Sequence, residues 1–307
     1  MRQHRWKTSP VVILTALDLE YEAVRERLTE VRPAPPLSGT RFETGSLPGG
    51  VGDAVLVLAG MGNHVSAVIA ERAINEFQPA AVLFVGVAGR LKPSVALGDI
   101  VVATHVYAYH GAAARIDGVS SRPRVWDLDH GIEQTAHHIS RRYSRERRDR
   151  PTADSPHVHF GPIASGEVLH DAPESEPLTW IRKHYEDAVA IEMEAAGFAK
   201  AGQLNSVPGA VIRGISDAAD GTKATTDGDN WQAHAVRNAA GFAIELAADL
   251  AAAGPPKAEP VSPEDRGCRV ETYGGSHGAV AGVINGGVHN SYPGFTGTPL
   301  TGERGWS

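Results

Sequence analysis

The sequence predicts an α/β fold: a three-layer sandwich with a central mixed, mostly parallel twisted sheet flanked by helices, followed by a low-complexity C-terminal tail. Apolar runs without polar alternation, such as Val11 to Leu17 and Ala81 to Val85, read as strands covered on both faces. Segments with a helical apolar period lie between such runs, as in βαβ units. Near Leu250 the alternation stops and proline and glycine take over.

Each element has a local reason. Val11 to Leu17 runs into Asp18, Glu20 and Glu22, so it reads as a buried strand entering a helix, Glu20 to Leu28, rather than as part of a secretory leader with the basic Met1 to Pro10. The proline-rich Val31 to Ser38 predicts a loop, and Arg41 to Gly45 and Ala54 to Leu58 predict strands. Asn63 is expected to cap a helix reaching about Phe77, with Val65, Val68, Ile69 and Ile74 on its apolar stripe. Gly86 to Gly89 reads as a tight glycine turn closing the strand Ala81 to Val85. Ile100 to Tyr107, His157 to Ile163 and Val189 to Ile191 predict strands, and Gln134 to Tyr143 and Ala195 to Ala201 helices. A long last helix starts at Asp229, carries Ala235, Phe242, Ile244 and Leu246, and stops at Gly254 before two prolines. The domain boundaries follow: 1–253 folded, 254–266 a proline-rich linker, 267–307 a glycine-rich tail.

At 307 residues the chain has ample length for a core, and its formal charge of -7 argues against nucleic acid as a partner. The basic run Arg141 to Arg150 is the local exception and reads as a solvated helix end or loop, or as a contact for an anion. The single cysteine, Cys268, cannot form an internal disulfide and points to a reducing cytoplasm. No segment has the length to span a bilayer, and no cofactor motif stands out. His157 and His159 share a strand face but lack a third metal ligand, and the GMGNH turn, Gly60 to His64, lacks a full phosphate loop.

The stretch AVAIEMEA, Ala188 to Ala195, with IRGISD, Ile212 to Asp217, carries the chemistry. Glu192, Glu194 and Asp217 sit among residues that a folding chain buries, and buried carboxylates need partners. Glu192 and Glu194 are two apart at a strand end, so both can reach one cavity, where paired acceptors suit the hydroxyls of a sugar. The competing reading is a structural network in which Arg213 neutralises a glutamate.

From Val11 to about Leu250 the chain resembles the purine nucleosidase and nucleoside phosphorylase superfamily, most closely its methylthioadenosine/S-adenosylhomocysteine nucleosidase branch. The motifs are VVILTALDLEYEAV (Val11 to Val24), VGVAGRL (Val85 to Leu91), ALGDIVVAT (Ala96 to Thr104), GPIASGE (Gly161 to Glu167), VAIEMEA and IRGISDAAD. The resemblance implies that Asp217, beside Ser216, protonates the departing purine. It also implies that Glu192 and Glu194 hold the ribose beside Met193, that Glu20 orients the attacking water, and that Val87, Ala88 and Gly89 lie beneath the sugar. Without it, Glu20 reads as a first-turn glutamate complementing the helix dipole. The resemblance further implies a homodimer.

Phosphorolytic members resemble one another in an arginine just before the glycine segment. Here Leu83, Phe84 and Val85 stand there, and neither Arg25 nor Arg90 occupies the place, which favours water over phosphate. Leu169 and His170 replace the aromatic ring expected against adenine, and Trp231 is a candidate closure of the pocket or a core residue. Val106 to Gly118 is unlike the alkylthio pocket, which leaves Arg115 or the Arg141 to Arg150 run as contacts for a 5'-phosphate.

In the tail, Gly274 to Ser291 sets Val280, Val283, Ile284 and Val288 among glycines and asparagines, a pattern able to stack as paired strands. It weakly resembles the amyloid signalling motifs that tether bacterial immune receptors to effectors. A disordered tail is the alternative. The readings carried forward are a nucleosidase acting on an adenine nucleoside or nucleotide as an effector recruited through its tail, a metabolic nucleosidase, a phosphorylase, and a purine sensor without turnover.

Overall fold

The computed structural model describes residues 9–116, 118–149, 155–172, 175–219 and 230–253. The Asp229 cap, the linker 254–266 and the tail with its Gly274 to Ser291 segment lie outside them.

Ten strands form one mixed sheet: β1 (Val11–Thr15), β2 (Thr29–Pro33), β3 (Glu43–Ser46), β4 (Asp53–Leu58), β5 (Ala81–Arg90), β6 (Ile100–Ala108), β9 (Arg124–Asp127), β10 (Val158–Ser165), β11 (Ala190–Glu192) and β12 (Gly209–Asp217). Strands β7 (Ala112–Arg115) and β8 (Gly118–Ser121) make a separate hairpin. The described helices are α1 (Asp18–Arg25), α2 (Asn63–Phe77), α3 (His130–Asp149), α4 (Glu176–His184), α5 (Ala195–Leu204) and α6 (Trp231–Ala253).

The spatial order is β11-β10-β6-β12-β5-β1-β4-β3-β2, with β9 beside β6. Strand β11 pairs with β10 on one side and also with β5, through Ala190 opposite Arg90 and Ile191 opposite Gly89. That second pairing curls β11, β10, β6, β12 and β5 into a closed ring. The pairs among β4, β1, β5 and β12 and among β6, β10 and β11 are parallel. Antiparallel pairing occurs at β2, β3 and β9, between β12 and β6, and at the β11–β5 closure.

The continuous apolar runs serve both faces. Val11, Ile13, Leu83 and Val85 pack into a core with α1, α3 and α6. Their neighbours Val12, Leu14, Val82 and Phe84 pack with α2 and α5 on the other face. Strand side chains alternate with period two, so a run that is apolar at every position demands cover on both sides. Full burial of each Val or Leu contributes roughly 1.5–3 kcal/mol.

Four local expectations are corrected. The proline-rich segment begins as an edge strand, β2, paired with β3; Pro33 is its last residue, at an edge that needs no further donor. Gly86 to Gly89 is not a turn, because β5 runs straight through it. Gly62, at φ 98°, is the N-cap of α2, and Asn63 is its first residue; the Asn63 amide instead donates to Gly166 O at 2.8 Å and accepts from Gly197 N at 2.9 Å. Val65 and Val68 stay exposed, while Ser66, Ile69, Ala70, Ala73 and Ile74 face the core.

Helix α5 crosses α2 so closely that a Cβ on Gly197 would overlap the Asn63 carbonyl. Helix propensity favours alanine at this site by about 1 kcal/mol, whereas the overlap costs roughly 1–3 kcal/mol. Gly197→Ala is therefore expected to lower unfolding free energy in urea, and a stabilised variant would contradict this packing.

Candidate active site

Three strands deliver the candidate side chains to one end of the ring. Glu192 is the last residue of β11, Asp217 the last of β12, and Gly86 to Gly89 lie on β5 between them. Glu194 is the N-cap residue of α5, and Glu20 stands in the first turn of α1. Ligands of open α/β sheets gather at such strand ends.

The centre is Arg213, fully buried on β12 with its guanidinium 4.5 Å from the centroid of the Phe84 ring. Its Nη2 donates to Glu192 Oε2 and, at 3.5 Å, to Glu194 Oε2. Its Nε and Nη1 have no hydrogen-bond partner among the described residues. A Cβ on Gly86 would overlap Nη1 and stand 2.5 Å from Glu20 Oε1, so this glycine gives the arginine and a third carboxylate room to approach the strand.

Glu20 is 2% exposed. Its Oε2 accepts Ala16 N at 2.8 Å and Leu17 N at 3.0 Å, and its Oε1 accepts Val87 N at 2.9 Å. Burial raises its pKa above the ordinary carboxylate range, against the opposing pull of Arg213 and these N–H groups. Glu194 is pushed up to about 7, first by burial and then by the Glu192 charge, with Arg213 and the Gly62 N–H acting the other way. Glu192 itself accepts the Glu194 and Ala195 N–H groups at 3.1 and 3.0 Å. Three carboxylates thus share one guanidinium, and the surplus negative charge is what the burial of Glu20 and Glu194 opposes.

Asp217 lines a cleft together with Glu192. Its Oδ1 accepts Ala219 N and its Oδ2 accepts the Ser216 hydroxyl, both at 2.9 Å. A Cβ on Gly89 would stand 2.8 Å from Asp217 Oδ1, so the second glycine of the β5 segment makes room for this carboxylate. The cleft beside it is lined by Gly89, Leu169, His170, Glu192, Met193 and Asp217, with Val168, Ile191 and Ala219. Ala88 is buried next to Gly89 on β5, and Val87 contributes its N–H to Glu20. Leu169 is 63% exposed, whereas His170 is 8% exposed. Trp231 is not among the lining residues; it stands edge-on to His234 at the start of α6.

Several features stand apart from this cleft. Arg142 pairs with Glu245 of α6, and Arg115 donates to Ser120 across its own hairpin. Arg25 pairs with Glu43 at 2.7 Å, and Arg90 donates to Val95 O. His159 bonds Asp99 at 2.8 Å, and no group of three metal-binding side chains occurs among the described residues. Both N–H groups of the GMGNH turn at the start of α2 serve the protein's own carboxylates, Gly62 to Glu194 and Asn63 to Glu167. A larger cavity, about 480 Å³, lies at the opposite end of β12 beside Gly209 to Val211, Trp126 and Phe198, away from the paired carboxylates. Among the described residues no helix is long and apolar enough to cross a membrane.

Residues that the sequence did not mark as supports of the site hold it together. Asn63 ties α2 to Ser165, Gly166 and Gly197, and the Ser66 hydroxyl donates to Glu194 O at 2.7 Å. Tyr109 lies under the loop that carries His170. Each acts on groups far away in sequence, which no local pattern reveals.

The chain belongs to the Phosphorylase superfamily, whose family model it matches over residues 10–248. It is 31% identical over 180 residues to the 5'-methylthioadenosine/S-adenosylhomocysteine nucleosidase of Maridesulfovibrio salexigens, a match covering 57% of this chain and 72% of that one. It is 30% identical over 241 residues to the ATP nucleosidase Cap17 of Escherichia coli, covering 70% of this chain but only 47% of that longer protein. Its fold superposes with a TM-score of 0.65 and 26% identity on the 5'-methylthioadenosine/S-adenosylhomocysteine nucleosidase from Neisseria meningitidis in complex with methylthio-immucillin-A, over 78% of this chain and 99% of that one.

The raised pKa of Glu194 gives a stability test with a defined sign. A carboxyl that binds its proton more tightly folded than unfolded stabilises the fold at low pH, and that stabilisation is lost as pH rises from about 4.5 through about 7. Glu194→Gln lacks this loss. Its unfolding free energy relative to the unmodified protein is expected to rise by on the order of 2–3 kcal/mol between pH 5 and pH 8 in urea titrations; a flat difference would refute the assignment.

Proposed function

We propose that this chain is a purine nucleosidase that hydrolyses the N-glycosidic bond of an adenine nucleoside or nucleotide, releasing adenine and a ribose product. The observation that carries the reading is the convergence of Glu20, Glu192 and Glu194 on one buried guanidinium, with Asp217 lining the same cleft as Glu192. Breaking the bond develops positive charge on the ribose and negative charge on the base. Asp217, oriented by Ser216 and Ala219, supplies the proton to the leaving purine. Glu192 and Glu194 receive the ribose hydroxyls and, with Met193 alongside, face the oxocarbenium-like transition state with negative charge. Glu20, made more basic by burial, takes the proton of the attacking water.

Water rather than phosphate is the nucleophile in this reading. Arg213 is committed to Glu192 and Glu194, and a phosphate in the same place would meet three carboxylates across a dry pocket. The cleft has no lysine or arginine among its described lining residues, which supports a neutral nucleoside such as methylthioadenosine. The similarity to Cap17 supports a nucleotide substrate instead. A homodimer is part of the proposal, since α2 leaves Val65 and Val68 exposed beside Met61, an apolar face that a second copy would cover. A cytoplasmic setting and activation through Gly274 to Ser291 rest on sequence pattern alone. The latter is tested by mixing that peptide with itself and with candidate partners, and a peptide that remains monomeric overturns it.

A panel of methylthioadenosine, adenosylhomocysteine, adenosine, AMP and ATP, read for free base, decides the substrate class. Adenine release is expected without added phosphate, and a strict phosphate requirement would overturn hydrolysis. Asp217→Asn is expected to lose about 10²–10⁴-fold in kcat with its fold retained; unchanged turnover would remove Asp217 from the mechanism. Binding of purine without any turnover would favour a sensor. Val68→Asp is expected to move the protein from dimer to monomer in sedimentation, and an unmoved dimer would place the interface elsewhere.

A further inference from the structure

The loop after β10 holds a buried pair that the mechanism above does not use. A Cβ on Gly166 would overlap the Tyr109 ring, so Tyr109 reaches under the 166–170 loop only because residue 166 is glycine. There Tyr109 is 4% exposed. Its phenol oxygen stands 3.1 Å from His170 Nε2. Nε2 is the acceptor within hydrogen-bond reach of this phenol among the described residues, so the hydroxyl proton points to it. Burial and the nearby Glu192 charge keep this phenol protonated, and burial with His110 close by holds the His170 pKa below its usual value. A neutral imidazole that accepts at Nε2 carries its proton on Nδ1. That Nδ1 has no hydrogen-bond partner among the described residues, and His170 lines the cleft with Asp217 and Glu192.

We propose that His170 reads the base by donating Nδ1–H to an unprotonated ring nitrogen of the purine, and that Tyr109 is the positioning residue that sets this tautomer. The inference rests on the nucleosidase reading and narrows its substrate class. A 6-aminopurine offers N1 and N3 as bare acceptors, whereas a 6-oxopurine carries a proton on N1 and keeps N3 bare, so a contact at N1 selects the 6-aminopurine and a contact at N3 accepts either. A fixed N–H donor in a buried site selects for the base that can accept it, because the mismatched base leaves a polar group unpaired. Nδ1–H takes the place of part of the recognition that a stacking ring would give, since Leu169 is largely exposed.

The test uses the full chain with Tyr109→Phe, His170→Asn and His170→Leu, and compares adenosine with 1-deazaadenosine and 3-deazaadenosine. In the unmodified protein one deaza analogue is expected to lose about tenfold in kcat/KM relative to adenosine. His170→Leu is expected to lose a similar factor on adenosine and to stop discriminating against that analogue. His170→Asn, whose amide nitrogen takes the place of Nδ1, should retain discrimination, and Tyr109→Phe should lose part of it. Measuring the change in discrimination separates a direct contact from a general loss of structure, which would lower both substrates equally. The proposal is overturned if all variants discriminate like the unmodified protein, or if His170→Asn behaves like His170→Leu. If the unmodified protein releases no base from any purine nucleoside, the nucleosidase reading falls. Calorimetric affinities for adenine, 1-deazaadenine and 3-deazaadenine in the same variants then still decide whether His170 reads the base.

Discussion

The burial of one positive charge, Arg213, organises the functional end of this protein. A guanidinium with no solvent exposure is tolerable only if negative partners surround it and its flat face finds a surface. Glu192 and Glu194 supply the charge, Phe84 supplies the surface, and Glu20 approaches from the first helix. The same arrangement that holds the arginine keeps three carboxylates within one small volume. The network around Arg213 and the proposed catalytic constellation therefore share Glu20, Glu192 and Glu194.

The geometry depends on how β5 is built. Its middle carries small residues because side chains from β12 and α1 occupy the space that a Cβ would need: Arg213 and Glu20 at Gly86, Asp217 at Gly89. These glycines serve close approach, not a turn, and they adopt ordinary strand geometry. The extra pairing of β11 with β5 then closes the ring and sets Glu192 at the mouth of the cleft, one strand from Asp217. A flat sheet of the same strands would hold these groups farther apart.

Much of this was legible in the chain itself. The two-sided apolar runs predicted the sheet, and the alternation of strands and helices predicted its layers, because burial on both faces writes a pattern into every residue. The AVAIEMEA and IRGISD segments announced the buried carboxylates by their surroundings. The glycine segment misled, since glycine marks both turns and close contacts, and only the neighbour tells them apart. Val65 and Val68 misled too: apolar spacing alone does not say which face of α2 meets the sheet, and small residues such as Ala70 and Ala73 carry that contact.

By itself, the sequence determined the fold class, most of the central strands and helices and the identity of the acidic residues, because these follow from local periodicity and from the cost of burying charge; the edge strands β2 and β9, the β7–β8 hairpin and α4 carry no such pattern. The tertiary structure alone decided which groups meet. Arg213 neutralising Glu192 and Glu194, Asn63 bonding to Gly166 and Gly197 rather than capping its helix, and Tyr109 reaching His170 under Gly166 each join residues distant in the chain. Such contacts depend on the curl and register of the sheet, and those are set by all strands together rather than by any segment of the sequence.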